Sequence, residues 1–171
     1  WIDDNDEERT FSFKDISLES KKAAYWLTTK GIKKGDTVML VLRRRWEWWI
    51  LMPALHRIGA IVIPATDQLL QSDIEYRTNA AEVKMIISYD NPHIQGEIEK
   101  AMPKSPSVKN LVTVGKEKRE GWISFHEECE VLPAEFPRPT GDAATHNTDP
   151  MLLYFTSGTS GYPKMVLQDF D

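Results

Sequence analysis

The sequence predicts an α/β fold, a layered and mainly parallel sheet flanked by helices, on three observations. Thr37–Leu42, an unbroken β-branched and aliphatic run, reads as a strand covered on both faces, Ile61–Pro64 as the next buried strand, and Lys84–Tyr89 and Asn110–Val114 as further strands. Segments of helical pattern separate them, and strand and helix alternate at short spacing, as in a parallel sheet wrapped by helices. Glycines fall where those helices would stop, at Gly31 and Gly59.

Taken in order, an acidic lead (Asp3, Asp4, Asp6, Glu7, Glu8) precedes Thr10–Lys14, whose alternation of polar and apolar residues predicts a short strand. A helix is expected from about Ser17 to Lys30, then the turn Lys33-Lys34-Gly35-Asp36 into the Thr37 strand. Further helices are expected over Trp46–Ile58, Asp73–Ala81 and Ile94–Met102. These elements make an α/β subdomain over residues 1–114. From Gly115 the pattern dissolves into charges and turn formers, so residues 115–148 read as a surface excursion with one short helix near Ser124–Glu130. Residues 149–171 then supply a buried strand, Met151–Phe155, a loop and the start of the next strand, the opening of a second subdomain.

Composition excludes several classes. Apolar residues at 41% and charged residues at 27% are ordinary for a folded domain. A net charge of -5 provides no broad basic field for a nucleic-acid backbone, and Arg43 to Arg45, flanked by apolar residues, read as a strand end. The longest apolar stretch, Ile50 to Pro64, is broken by Pro53, His56, Arg57 and Gly59, so no membrane span is expected. Cys129 is the only cysteine, which excludes an intrachain disulfide and favours a reducing compartment. His56, His93, His126 and His146 show no metal-ligand spacing among themselves or with Cys129, and no Ser/His/Asp triad can be assembled. Trp46, Trp48 and Trp49 read as packing residues, and Tyr76 and Arg77 as helix surface or a domain contact.

The chemistry is carried by Thr156-Ser157-Gly158-Thr159-Ser160-Gly161-Tyr162-Pro163-Lys164, directly after a hydrophobic strand and before Met165-Val166-Leu167. Its glycines let backbone N–H groups approach an anion closely, and its four hydroxyls add donors. Each hydrogen bond to a charged group contributes about 1.5–3 kcal/mol. Lys164 adds a cation worth up to about 4 kcal/mol per unit charge at 4 Å near a surface, and Pro163 stiffens the approach to it. The glycine and lysine spacing fits neither the G-x-x-x-x-G-K-[ST] phosphate loop nor the G-x-G-x-x-G dinucleotide fingerprint. The string reads as a turn between two buried strands that grips a triphosphate.

From Tyr154 to Val166 the sequence closely resembles the phosphate-loop motif of the adenylate-forming superfamily: acyl-CoA synthetases, luciferases and peptide-synthetase adenylation domains. Gly35-Asp36-Thr37-Val38, Trp46-Glu47-Trp48-Trp49, Arg57-Ile58-Gly59-Ala60 and Ile63-Pro64-Ala65-Thr66 are similar to that superfamily's amino-terminal segment. Pro64 to Gln68, Ser72 to Arg77 and Gly121 to Phe125 are similar to its medium-chain acyl-CoA synthetase group. The resemblance covers roughly Phe11 to Val166 and implies a two-step ligase. A carboxylic acid and Mg-ATP give an acyl-adenylate and pyrophosphate, and coenzyme A then displaces AMP. It also implies that Thr156, Ser157, Gly158, Thr159, Ser160, Gly161 and Lys164 hold the β- and γ-phosphates, with Mg2+ arriving on ATP and no protein metal ligand among these residues.

One departure is Gln168, where the family commonly has histidine. Because the sequence starts at Trp1 and stops soon after the motif, it reads as an amino-terminal piece of a larger enzyme, with no identifiable catalytic residue and no expected turnover of its own. The expected location is the cytoplasm, or the mitochondrial matrix in a eukaryote. Two rival readings stand beside the ligase: an adenylation enzyme loading a carrier protein, and a non-catalytic nucleotide-binding or assembly module. The acid used and the oligomeric state are not legible in these residues.

Overall fold

A computed structural model describes residues 1–2, 7–156 and 161–171. Its centre is a seven-stranded sheet. In chain order the strands are β1 (Thr37–Val41), β2 (Ile61–Pro64), β3 (Met85–Tyr89), β4 (Asn110–Val114), β5 (Ile123–Ser124), β6 (Pro150–Thr156) and β7 (Lys164–Asp169). They lie in the order β5-β4-β3-β1-β2-β6-β7. Every pairing from β5 to β6 is parallel, and only β6 and β7 run antiparallel. The five helices are α1 (Phe13–Thr29), α2 (Trp48–Ile58), α3 (Gln71–Ala80), α4 (Pro92–Ala101) and α5 (Phe125–Glu130). This is the layered, mainly parallel α/β architecture the sequence predicts.

Strand side chains alternate between faces, so β1 feeds two cores. Val38 and Leu40 join Val62, Met85, Ile87 and Val112 beneath α1, α2 and α5. Met39 and Val41 join Ile61, Ile63 and Ile86 beneath α3 and α4, where Ile74, Ile94 and Ile98 are buried. All five residues of β1 are buried, which is why its run of apolar residues shows no alternation.

The structure corrects the amino-terminal reading. Thr10–Lys14 is not a strand. Ser12 instead caps α1: its hydroxyl accepts from Asp15 N at 3.2 Å, and Asp15 Oδ2 accepts from Ser12 N at 2.8 Å. This capping box starts the helix at Phe13, before the expected Ser17. The apparent alternation had no buried face behind it, since Phe13 is 97% exposed. Similarly, α2 starts at Trp48 because Arg43 to Trp46 make the turn out of β1.

The two-residue strand β5 was not expected; it pairs with β4 through Val112↔Ile123 and Thr113↔Ser124, at the sheet edge. The excursion over 115–148 also contributes to the core, because Phe125 and Cys129 of α5 are buried against Trp26 and its neighbours. Strand β6 adds to the same sheet beside β2, through Val62↔Leu152.

Candidate functional site

The Thr156–Lys164 string closes the hairpin between β6 and β7. Pairing runs from Pro150↔Asp169 to Thr156↔Lys164, so Thr156 and Lys164 stand opposite each other at the base of the loop. Thr156 Oγ1 donates to Lys164 O at 3.4 Å. Opposed residues share a face, and the period of two sets Thr156 and Lys164 on the face away from Phe155 and Met165. Gly161 has φ +103°, a conformation that L side chains rarely adopt, although a Cβ there would meet nothing within 4 Å. Backbone shape, rather than space, therefore calls for glycine at that turn. Ser157, Gly158, Thr159 and Ser160 lie outside the described residues.

The strand after the loop departs from expectation. All six residues of β7 are exposed, and Met165, Val166 and Leu167 retain about half their accessible surface. Its strand neighbour among the described residues is β6 alone, and since successive residues point to opposite faces, both its faces meet solvent. β6 itself is only partly buried, with Leu152 and Leu153 inside and Tyr154 and Thr156 outside.

Residues distant in sequence hold the hairpin stems. Tyr76, on α3, donates its hydroxyl to Pro163 O at 2.9 Å. Its ring stacks on Tyr162, with centroids 4.6 Å apart and planes 16° apart, and meets Phe155 edge-on at 6.1 Å. The guanidinium of Arg77 lies 5.0 Å above the Phe155 ring. Helix α3 thus contacts both the strand entering the loop and the segment leaving it. From sequence, Tyr76 and Arg77 read as helix surface or a domain contact and not as site residues, because no local pattern links Tyr76 to Pro163, 87 positions away.

A cleft of about 630 Å³ opens over the carboxyl ends of β1 and β2, and its walls include Leu40, Arg43, Trp49 and Thr66 but none of the described residues of the Thr156–Lys164 string. Among the described residues, no group of three or more His, Cys, Asp or Glu is arranged to hold a metal ion. Nor, among them, is any helix long and apolar enough to cross a membrane.

The profile of the family described as AMP-binding enzyme matches residues 2–170. The chain belongs to the AMP-binding enzyme family. Among family members, acyl-coenzyme A synthetase ACSM5, mitochondrial, of Rattus norvegicus is 38% identical over 169 residues, covering 97% of this chain and 28% of the relative. Acyl-coenzyme A synthetase ACSM3, mitochondrial, of Mus musculus is 36% identical over 167 residues with the same coverage. The chain therefore spans little more than a quarter of the length of these relatives. The AMP-binding fold is matched by the anthranilate CoA ligase AuaEII in complex with anthranoyl-AMP, with a TM-score of 0.86 at 23% identity, over 95% of this chain and 30% of that one. An acyl-CoA synthetase of Brucella canis matches with a TM-score of 0.81 at 23% identity, over 99% of this chain and 30% of that one.

Proposed function

We propose that this chain is the nucleotide-gripping part of an AMP-forming acyl-CoA ligase acting on medium-chain fatty or related carboxylic acids. The observation that carries this reading is the Thr156–Lys164 string at the mouth of the β6–β7 hairpin of an AMP-binding family member whose relatives are named acyl-CoA synthetases. Thr156, Ser157, Gly158, Thr159, Ser160, Gly161 and Lys164 would hold the β- and γ-phosphates of ATP. Their amides and hydroxyls orient the chain of phosphates, and the Lys164 ammonium offsets its charge.

In this reaction a carboxylate oxygen forms a bond to the α-phosphorus as the bond to the bridging oxygen breaks, releasing pyrophosphate. The sulfur of coenzyme A then bonds to the acyl carbon, AMP leaves, and the thiol proton is released. This chain's contribution is to the first step: charge builds on the departing pyrophosphate, beside Lys164. Magnesium would neutralise further phosphate charge when it arrives on the nucleotide, and the loop hydroxyls and amides suit the phosphate oxygens left around it. The relatives' names give a mitochondrial location, and we assign the same compartment to this protein if its source is eukaryotic.

The test is acid-dependent ATP–pyrophosphate exchange by the full-length protein, followed by thioester formation with free coenzyme A or a phosphopantetheinylated carrier. Exchange with octanoate and transfer to free coenzyme A are expected. Lys164→Ala is expected to raise the KM for ATP by roughly tenfold or more, from the loss of about 1.5–3 kcal/mol of charged hydrogen bonding. Transfer to the carrier alone would favour the adenylation reading, and absence of exchange with any acid would favour a non-catalytic module.

A further inference from the structure

We infer that Tyr76 is a positioning residue for Lys164, acting through the Pro163–Lys164 peptide. The inference rests on the reading of the loop as an ATP-phosphate site and adds a residue that lies outside the loop motif. The Tyr76 hydroxyl binds Pro163 O at 2.9 Å. That carbonyl belongs to the same planar unit as the Lys164 N–H, and the peptide is trans. Fixing the carbonyl toward α3 therefore aims the Lys164 N–H away from it. The stack on Tyr162 restrains the residue before the proline, and Pro163 has a fixed φ, so the exit of the loop is held at consecutive residues.

The anchor on which Tyr76 stands is itself fixed. Ile74, two residues earlier, is fully buried in the core under α3. Thr78, two residues later, is also fully buried, and its hydroxyl shares a 2.7 Å hydrogen bond with Ser105 Oγ. Asp73 Oδ2 accepts from Leu70 N at 3.2 Å and secures the first turn of α3. Tyr76 thus transfers the rigidity of α3 to one stem, while Arg77 over Phe155 steadies the other.

The experiment compares Tyr76→Phe, Tyr76→Leu, Tyr162→Leu and Lys164→Ala in the full-length protein, reading KM for ATP, KM for acid, kcat for pyrophosphate exchange and Tm. Tyr76→Phe keeps the ring and removes the hydroxyl. It is expected to raise the KM for ATP roughly threefold to tenfold with the KM for acid unchanged, and to lower Tm by no more than the loss of one hydrogen bond does. Tyr76→Leu should cost more, and Tyr76→Leu with Tyr162→Leu should cost less than the product of the two single effects. If Lys164→Ala weakens ATP use while both Tyr76 variants match wild type, the positioning role is overturned and the loop reading survives. If Lys164→Ala itself has no effect, the loop reading falls. A fall in Tm with an equal loss in every kinetic constant would make Tyr76 merely structural, and would also overturn the proposal. Should Tyr76→Leu fail to fold, Tyr162→Leu, at a ring 74% exposed, decides the stacking half: an unchanged KM for ATP rejects it.

Discussion

Lys34 Nζ lies 2.8 Å from Asp149 Oδ2 and donates to Ala144 O at 2.6 Å, tying the turn before β1 to the chain entering β6. The Lys34 hydrogen bond, followed by one from the His146 amide, holds the Asp149 carboxyl below its ordinary value of 3.8. A depressed carboxyl contributes stability above that ordinary value, and loses it as the pH falls through the folded value. Lys34→Met is therefore expected to lower Tm at neutral pH, with the difference from wild type narrowing below pH 3.8 to the part carried by the Ala144 carbonyl, as followed by thermal scans across that range.

Glu47 provides a second acid-sensitive point. Burial alone would raise its carboxyl, but the hydrogen bond with His126 at 2.9 Å and the charge of Arg45 at 3.3 Å outweigh it, and the net shift is downward. Its contribution is thus complete above 4.5 and is lost as the pH falls below that value. Replacing Glu47 by Gln is expected to cost about 1.5–3 kcal/mol at pH 7 by urea unfolding. The wild-type advantage should vanish in acid.

Gly115 sits at φ +138°, and a Cβ there would strike the carboxylate of Asp90. That carboxylate is not free to move, because Oδ2 accepts from Lys116 N at 2.8 Å and from Glu117 N at 3.2 Å. Gly115→Ala should destabilise by about 2–6 kcal/mol, combining backbone strain with overpacking. An Asp90→Ala background removes the collision, and the remaining cost of the alanine should fall to about 1–3 kcal/mol, the strain alone.

Cys129 is buried, and desolvation together with the negative charges of Glu19 and Glu128 pushes its thiol up to about 12. The thiolate is the nucleophile, so the native protein should leave this thiol unalkylated by iodoacetamide at pH 8. Mass spectrometry should find it labelled only after denaturation. Rapid labelling of the folded protein would contradict the buried position.

The sequence was most legible where burial was symmetric. Asn110–Val114 and the core of Thr37–Leu42 read as strands because both faces are covered, so local composition reflects tertiary position directly. Thr10–Lys14 misled because five alternating residues carry little information, and Ser12 and Asp15 instead make a reciprocal cap. Strand β5 escaped because a two-residue edge strand leaves almost no pattern, and its partner Val112 lies eleven residues before Ile123. Within the candidate site the loop was visible as contiguous chemistry, whereas Tyr76 was not. Its link to Pro163 exists only after the sheet has brought β6 beside β2.

Chain order has a kinetic consequence for that link. Thr156 and Lys164 are eight residues apart, so the ladder of the hairpin closes over a short separation, whereas Val62 and Leu152 must meet across ninety residues. Synthesis runs from the amino terminus, and the helix bearing Tyr76 emerges long before the segment it will receive. The helix that carries the docking ring is thus synthesised first, and the strands that bring Pro163 to it pair with each other over a short separation.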